Sequence, residues 1–257
     1  MSDGSGDDGD MTLRVASFNL RLGVAFDGLN SWWPLRWLAA TIVARDLDAD
    51  VLGLQEAYGF QGRGLRRRLG GYGMTGEGRT AKGGGEHCSV LFRKDRLRLL
   101  DSSTRWYGDE PFRPGSMLPR ATHPRIATIV DLELDGRPFT FVDTHLDQRY
   151  EDNRTRSVEQ LVGWLGDGPT IVVGDLNAKP DSEPLQLLAD AGLRSALPAD
   201  APGSNHDFGK REKPSRIDHI LVSHHWAVHG AEVVTQKPFG RYPSDHWPIV
   251  ADLTLEG

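Results

Sequence analysis

The feature of this sequence that most constrains its fold is a series of short apolar segments that each end in, or lie beside, a polar side chain. The segments have the length and the apolar or alternating pattern of β-strands. The polar residues are Asn19, Glu56, His145, Asp175, Asp218 and the adjacent pair Asp245 and His246. In α/β proteins, strand ends and the loops that follow them converge on ligand sites. The pattern therefore predicts an α/β fold with one convergent polar site.

Segments with helical periodicity alternate with the strands. Pro34 suits the first turn of a helix whose apolar residues recur at helical spacing. The expected helices cover residues 34–45, 61–69, 158–165 and 183–190. The expected strands cover residues 13–20, 50–55, 87–92, 97–100, 126–134, 138–145, 170–173, 216–222, 231–234 and 248–255. No repeat or linker divides the chain, so we expect a single catalytic domain over residues 11–257.

Three segments lack a helix or strand pattern. Residues 70–85 are rich in glycine, and residues 101–124 are rich in proline, so both are predicted to be loops. Long connections of this kind often contribute to a site. Residues 1–10 contain glycine and aspartate but almost no apolar side chain. Such a segment cannot bury enough surface to offset its ordering entropy, so we expect a disordered tail.

Charge and cysteine content narrow the class of protein. The formal net charge is −6 and no long stripe of Lys or Arg is present, which is not typical of non-specific duplex binding. The single cysteine, Cys88, excludes an internal disulfide. No segment has the pattern of a signal peptide or the length of a membrane span. We therefore expect a cytoplasmic monomer without stable membrane insertion.

Three of the polar residues suit a hard metal ion. Glu56 and Asp245 supply carboxylate oxygens, and Asn19 adds a neutral amide oxygen. This donor set favours Mg²⁺ or Mn²⁺, which prefer oxygen ligands and keep water molecules for a substrate phosphate. A zinc site would recruit more nitrogen or sulfur, and the histidines near residues 219–229 have no cysteine near them in the sequence.

The segment Gly174-Asp175-Leu176-Asn177 allows two interpretations. In an extended chain, Asp175 and Asn177 point to the same side. The aspartate could then orient or deprotonate a water molecule while the amide donates to a phosphoryl oxygen. Gly-Asp and Asn-Ala are also common in turns, so the segment alone leaves both interpretations open.

The histidines are candidates for contacts to a phosphate. His145 ends a strand, although a single histidine is more often a structural residue. The stronger signal is Asp245-His246, where one side chain can hold a metal while the other contacts the phosphate. Asp218 alternates with apolar neighbours, and an inward carboxylate is unfavourable unless a partner such as histidine is present.

Taken together in chain order, these motifs resemble the endonuclease/exonuclease/phosphatase superfamily of metal-dependent phosphoesterases. The motifs that carry the resemblance are Ser17-Phe18-Asn19, Leu54-Gln55-Glu56, Gly85-Glu86, Thr144-His145-Leu146, Gly174-Asp175-Leu176-Asn177, Arg216-Ile217-Asp218 and Ser244-Asp245-His246. The resemblance implies a four-layer α/β sandwich, in which two mixed β-sheets pack face to face with helices outside.

The resemblance also implies a role for each residue. Glu56 would be the principal metal ligand, helped by Asn19 and Asp245. Asp175 and Asn177 would handle the attacking water and the phosphoryl group. His246, paired with Asp218, would contact or protonate the reacting phosphate. His145 would lie across from His246, with Glu86 orienting it.

The resemblance does not name a substrate. Abasic-site endonucleases usually carry tyrosine at the position of His145, which disfavours that branch. Segments such as Trp33-Pro34-Leu35-Arg36 resemble a bacterial group of metal-dependent hydrolases. Arg125 and Arg154 are candidates to bind substrate phosphate, or are ordinary surface arginines.

Three activities and one non-catalytic role remain as hypotheses. The first is hydrolysis of a small soluble phosphoester, which the acidic charge balance favours. The second is cleavage of DNA or RNA, which needs a basic rim around the site. The third is hydrolysis of a lipid phosphodiester, as in sphingomyelinases, which predicts an export signal and an exposed aromatic hairpin. A non-enzymatic scaffold would lack catalytic residues, whereas the expected ones are all present.

Overall fold

The computed structural model describes residues 12–256 and contains two six-stranded sheets within that range. The predicted tail over residues 1–10 lies outside the described residues. The strands are β1 (Thr12–Asn19), β2 (Val51–Tyr58), β3 (Tyr72–Thr75), β4 (Glu86–Arg93), β5 (Leu97–Trp106), β6 (Ile126–Leu134), β7 (Arg137–His145), β8 (Thr170–Asp175), β9 (Arg194–Ser195), β10 (Asp218–Val222), β11 (Trp226–Val233) and β12 (Ile249–Leu255). The helices are α1 (Trp33–Asp46), α2 (Gly59–Leu69), α3 (Glu151–Val162) and α4 (Glu183–Asp190). None of these helices is both long and apolar enough to cross a membrane.

Both sheets are mixed. The first has the strand order β11-β12-β1-β2-β4-β3, and the second has the order β5-β6-β7-β8-β10-β9. Each sheet contains one parallel pair, β1 with β2 and β7 with β8, and a helix connects the two strands of each pair. The carboxyl ends of parallel strands lie at the same edge of a sheet, which places the polar strand ends together.

Apolar side chains form three layers of contact. Between the sheets lies the largest core, which includes Val15, Val51, Val173 and Ile249. A second cluster packs α1 and α2 onto the first sheet, and a third packs α3 and α4 onto the second sheet. The order of layers is therefore helix, sheet, sheet, helix. This arrangement confirms the predicted four-layer α/β sandwich.

The structure corrects the sequence prediction at several places, including β11, which begins at Trp226 rather than at residue 231. Strand β5 continues to Trp106, through polar residues that were predicted to be loop. Strand β3 (Tyr72–Thr75) lies within the glycine-rich segment. Helix α3 begins at Glu151, earlier than its apolar pattern indicates, because its first turns are mainly polar and partly exposed. β5 and β3 are edge strands, so much of their surface faces solvent and they lack the apolar pattern on which the prediction depended.

Candidate active site

Strand register places three of the predicted catalytic residues side by side. In the second sheet His145, the last residue of β7, pairs with Asp175 at the end of β8. Asp175 in turn pairs with Asp218, the first residue of β10. Asn19 ends β1 in the facing sheet, and Asp245 and His246 immediately precede β12. Asn19 and His246 are more than 200 positions apart in the sequence, yet these site residues all meet at one end of the sandwich.

Glu56 lies within β2 rather than at its end, in a β-bulge. The pairing of β2 with β4 shifts between Leu54 and Ala57, and Glu56 adopts a left-handed conformation with a φ of 56°. Its Oε2 accepts a hydrogen bond from the backbone N–H of Leu22 at 3.1 Å. Left-handed backbone is uncommon outside glycine and is often retained at functional sites. The bulge thus directs the Glu56 carboxylate to the site.

Asn19 connects the carboxylates of the two sheets. Its Nδ2 donates to Glu56 Oε1 at 3.1 Å and to Asp175 Oδ2 at 3.0 Å. Its Oδ1 accepts from the backbone N–H of Arg21 at 2.9 Å, and this donor fixes the orientation of the amide. The amide nitrogen therefore faces the carboxylates. In this orientation Asn19 positions Glu56 and Asp175, and its oxygen is engaged by the Arg21 backbone.

Asn177 is not in an extended conformation, so it does not share a strand face with Asp175. Its φ is 49°, and its backbone N–H donates to Asp175 Oδ1 at 3.0 Å. Its side-chain Nδ2 donates to the carbonyl of Leu146 at 3.2 Å. The turn interpretation of this segment is the one that the structure supports. Asn177 nevertheless holds the Asp175 carboxylate in place.

His246 and Asp218 form a buried pair. His246 Nδ1 lies 2.7 Å from Asp218 Oδ2, and Ser204 Oγ donates to the same carboxylate oxygen. Burial lowers the pKa of His246, but the contact with Asp218 outweighs it, and the pKa rises to about 10. His246 therefore carries a proton on both ring nitrogens near neutral pH.

Sequence analysis did not identify the neighbour of the other His246 nitrogen. The side-chain amide of Asn205 lies 2.7 Å from His246 Nε2. The nearer amide atom is Nδ2, and since a protonated imidazole also donates from Nε2, the amide has to turn so that its oxygen accepts there, or move aside when a phosphoryl oxygen takes the Nε2 hydrogen bond. Asn205 lies in a loop without a strand end or motif around it, so the sequence offered no signal for its role.

His145 is neutral near neutral pH, in contrast to the protonated His246. Its Nε2 lies 3.6 Å from Asp175 Oδ2, and His246 Nε2 lies 3.9 Å from the same oxygen. Burial lowers the pKa of His145 well below its usual value, and the nearby charges of Arg125 and Arg79 add to the effect. The site thus places a neutral imidazole and a protonated one on either side of the Asp175 carboxylate.

Glu86, which the resemblance predicts to orient His145, makes no hydrogen bond to it among the described residues. Its carboxylate instead forms a two-pronged ion pair with Arg79, with both contacts at 2.7 Å. Burial, and then the charge of Glu56, raises the pKa of Glu86 to about 7. The Arg79–Glu86 pair forms one wall of a small pocket beside the site, which Glu56 and His145 also line.

The two predicted phosphate-binding arginines differ in position. Arg125 lines this pocket and is only 7% exposed, yet its guanidinium forms no hydrogen bond or ion pair with the described residues. A guanidinium that opens onto a pocket and has no protein partner is available to bind an anionic ligand there. Arg154, in contrast, donates to the carbonyl of Asp147 at 2.9 Å and is not among the residues that line the pocket. The structure brings Arg125, and not Arg154, next to the site.

The donor atoms fit a hard divalent cation. Ligand atoms from Glu56, His145 and Asp175 lie within 4.8 Å of one another, and the cluster includes two carboxylates. Burial, together with the charge of Asp218, raises the pKa of Asp175 to about 7. A bound cation would offset this unfavourable burial of negative charge. Asp245, buried and in contact with Arg21, lies in the same group of charges.

Arg36 stabilises the backbone on which the site residues lie. It is almost fully buried, and its guanidinium donates to backbone carbonyls on both sides of the site, including Arg21 at 2.7 Å and Pro243 at 3.3 Å. The first carbonyl follows Asn19 and the second precedes Asp245. Arg36 therefore joins the two loops that carry these site residues. The motif around Arg36 is part of the resemblance to bacterial metal-dependent hydrolases, but the role of Arg36 depends on contacts that only the fold creates.

This sandwich, with carboxylates and histidines at one end, defines a class of hydrolases that act on phosphoesters. The chain belongs to the endonuclease/exonuclease/phosphatase family, whose model matches residues 16–246. No curated protein matches the sequence. The predicted resemblance and the predicted enzyme class are both confirmed.

Solved structures resemble the chain over nearly its whole length. An endonuclease/exonuclease/phosphatase from Bacteroides vulgatus is 30% identical, with a TM-score of 0.87 over 95% of this chain and 99% of that one. A mannosyl-6-phosphatase of Bacteroides thetaiotaomicron is 26% identical, with a TM-score of 0.83 over 95% and 100%. The human Nocturnin catalytic domain, with a bound sulfate anion, is 25% identical, with a TM-score of 0.76 over 96% and 95%.

Proposed function

We propose that this protein is a Mg²⁺-dependent phosphoesterase that hydrolyses a P–O bond of a small soluble phosphoester by attack of an activated water molecule. The observation that carries the proposal is the position of Asp175. Its Oδ2 lies 3.6 Å from His145 Nε2 and 3.9 Å from His246 Nε2, and it accepts a hydrogen bond from Asn19. A carboxylate between two imidazoles, one neutral and one protonated, suits acid–base chemistry.

Asp175 is the group that we assign to the attacking water. Its Oδ1 is held by the backbone N–H of Asn177, and its Oδ2 points to the histidines. Because burial and the charge of Asp218 raise its pKa to about 7, Asp175 exchanges a proton easily near neutral pH. The carboxylate can therefore orient the water and accept its proton as the new P–O bond forms.

His246 is the group that we assign to the developing negative charge. Asp218 keeps its imidazole protonated, so Nε2 can donate to a phosphoryl oxygen or to the leaving group. His145 remains neutral and can donate from one nitrogen without adding charge. When bound, Mg²⁺ at the carboxylates of Glu56 and Asp245 would neutralise charge on the phosphoryl group. Asp245 is assigned as a metal ligand together with Glu56 because the Arg21 guanidinium lies close to both carboxylates.

The pocket favours a small substrate. It combines the unpartnered guanidinium of Arg125 with the Arg79–Glu86 pair, next to His145. A guanidinium binds phosphoryl oxygens with two parallel hydrogen bonds. The resemblance to a mannosyl-6-phosphatase, at 26% identity, also supports a small phosphoester. We therefore assign Arg125, at the mouth of this pocket, to the phosphoryl group of a small ester.

Nucleic-acid cleavage is the second candidate. Arg79, Arg125 and Arg149 all lie close enough to His123 to lower its pKa, after the larger effect of burial. These arginines place positive charge beside the pocket despite the net charge of −6, although Arg79 is paired with Glu86. A nuclease needs a basic rim around its site, and its binding would weaken strongly as salt increases.

A substrate panel tests the proposal. Hydrolysis of hexose 6-phosphates, p-nitrophenyl phosphate, bis-p-nitrophenyl phosphate, plasmid DNA, short RNA and sphingomyelin is measured with Mg²⁺, with Mn²⁺ and with EDTA. We expect EDTA-sensitive hydrolysis that is fastest on a small phosphoester and is lost in Asp175→Asn. Asp131→Asn is the matched control, because Asp131 lies within β6 and accepts a hydrogen bond from Thr140 rather than joining the site. Metal-independent turnover, or full activity of Asp175→Asn, would refute the proposal.

The same panel separates the candidates. Rapid cleavage of DNA or RNA with little hydrolysis of small esters would favour the nuclease. Preferential hydrolysis of sphingomyelin would favour the lipid phosphodiesterase.

A further inference from the structure

Arg21 lies between the two carboxylates that we assign to the metal. Its Nη1 is 3.8 Å from Glu56 Oε2, and its Nε is 3.6 Å from Asp245 Oδ2. The proposed chemistry gives Arg21 no role. The Arg21 guanidinium lies close to the carboxylates of both Glu56 and Asp245. It therefore experiences the same negative charges that would attract a bound cation.

The backbone of Arg21 is held in an uncommon conformation. Its φ is 53°, in the left-handed region that it shares with the site residues Glu56 and Asn177. Three hydrogen bonds fix this conformation: its N–H donates to Asn19, and its carbonyl accepts from Arg36 and from Gln61. Strained backbone that neighbouring residues hold so firmly is typical of functional positions.

The Arg21 side chain is held mainly by charge rather than by direct hydrogen bonds to the site. Both distances to Glu56 and Asp245 exceed hydrogen-bond length, and the buried Nε has no hydrogen-bond partner among the described residues. Its one short contact, 2.7 Å, is to Asp27, whose side chain is 53% exposed. An exposed pair of this kind contributes little stability. The guanidinium therefore acts on the two site carboxylates through its positive charge.

We infer that Arg21 sets the metal affinity of the site by placing a fixed positive charge beside Glu56 and Asp245. The inference rests on the proposed function, because it takes these two carboxylates as metal ligands. The guanidinium repels a divalent cation that binds the same carboxylates, so it weakens binding. For a unit charge and a divalent ion this close together in a water-like dielectric, Coulomb's law gives an effect of roughly tenfold on the dissociation constant.

The test is a titration of the full chain with Mn²⁺, followed by electron paramagnetic resonance of the free ion at constant pH and ionic strength. We expect Arg21→Gln to bind Mn²⁺ roughly tenfold more tightly than the wild type. Arg21→Lys keeps the charge and should stay close to the wild type. Arg98→Gln is the matched control, since Arg98 pairs with Glu133 on an exposed strand and should leave the affinity unchanged.

The possible outcomes separate a failure of this inference from a failure of the proposed function. If the wild type binds Mn²⁺ and Glu56→Gln weakens that binding, the metal site stands. Unchanged or weaker binding by Arg21→Gln would then overturn the role of Arg21 alone. If the wild type and Arg21→Gln both lack saturable binding, the metal site and the inference fail together. Circular dichroism of each variant confirms that it is folded before titration.

Discussion

The Nδ1 nitrogen of His246 lies 2.7 Å from the Asp218 carboxylate, and this contact fixes the protonation state of the imidazole. Asp218 reaches His246 from β10 in one sheet, while His246 precedes β12 in the other. The pair therefore joins the two sheets at the site. Its counterpart, His145, lacks a carboxylate partner this close and stays neutral.

Replacing Asp218 tests the importance of this contact. In Asp218→Asn, the pKa of His246 should fall because the main favourable charge is removed while burial remains. We expect kcat to fall by roughly 10²-fold or more, the size of a lost acid or base, with a smaller change in KM. Steady-state kinetics on the best small ester measure this. Ser204→Ala, which removes only the second contact of Asp218, should lose far less activity; equal losses would contradict the assignment.

Replacing Arg125 tests the pocket. Arg125→Gln should raise KM for a small phosphoester by roughly tenfold or more, since a hydrogen bond to a charged group contributes about 1.5–3 kcal/mol. The matched change Arg154→Gln should leave KM nearly unchanged, because Arg154 already donates to a backbone carbonyl away from the pocket. Inorganic phosphate, measured as a competitive inhibitor, should lose affinity only in the first variant. Equal effects in both variants would exclude a specific role for Arg125.

Replacing Arg36 tests how much its hydrogen bonds to backbone carbonyls contribute to stability. Arg36→Met leaves several buried carbonyls without their donor, including those of Ser31 and Arg21. We expect the free energy of unfolding to fall by about 3 kcal/mol or more, as for other broken buried polar networks. Urea unfolding followed by fluorescence measures this change. Arg45→Met, at an exposed arginine that pairs only with Asp46, should change stability by less than about 1 kcal/mol; a similar loss there would show that the effect is not specific.

His219 predicts a pH dependence of stability that is separate from catalysis. It is buried, its Nε2 lies 2.8 Å from the Ala178 carbonyl, and burial lowers its pKa from 6.5 to about 4. Between these values the unfolded chain binds a proton that the native protein does not. The stabilisation is therefore complete above pH 6.5 and is lost as the pH falls towards 4, by up to about 3 kcal/mol.

The measurement for His219 is the free energy of unfolding at several pH values between 7 and 4.5. His219→Gln should show a smaller loss over that range than the wild type, because it cannot take up a proton. Parallel curves for the two proteins would mean that His219 does not contribute to the acid sensitivity.

The parts of the site that strands carry could be predicted from the sequence. Asn19, Asp175 and Asp218 interrupt or end apolar runs, and polar side chains there are conspicuous because burying them is unfavourable. The four-layer fold followed from the same strands and from the family resemblance. The roles of residues were harder to predict, since Asn19 and Asn177 proved to be positioned by local hydrogen bonds to backbone groups.

The parts of the site that loops carry could not be predicted in this way. Arg21, Asn205 and Arg79 lie outside the regular elements, and nothing in their local sequence marks them. Arg79 meets Glu86 only because the glycine-rich segment folds back onto β4. Their positions depend on which distant segments pack together, and this information lies in the tertiary structure rather than in local patterns.

The place of the last strand has a consequence for synthesis on the ribosome. Strand β12 lies between β11 and β1, so the first strand of the fold gains one of its two neighbours only after residues 249–255 have been made. His246 emerges just before that strand and has to meet Asp218 across the two sheets. A nascent chain that ends before His246 lacks a residue of the site, and one that ends before residue 255 lacks part of the strand that follows it. We therefore expect products that stop before the end of β12 to be inactive.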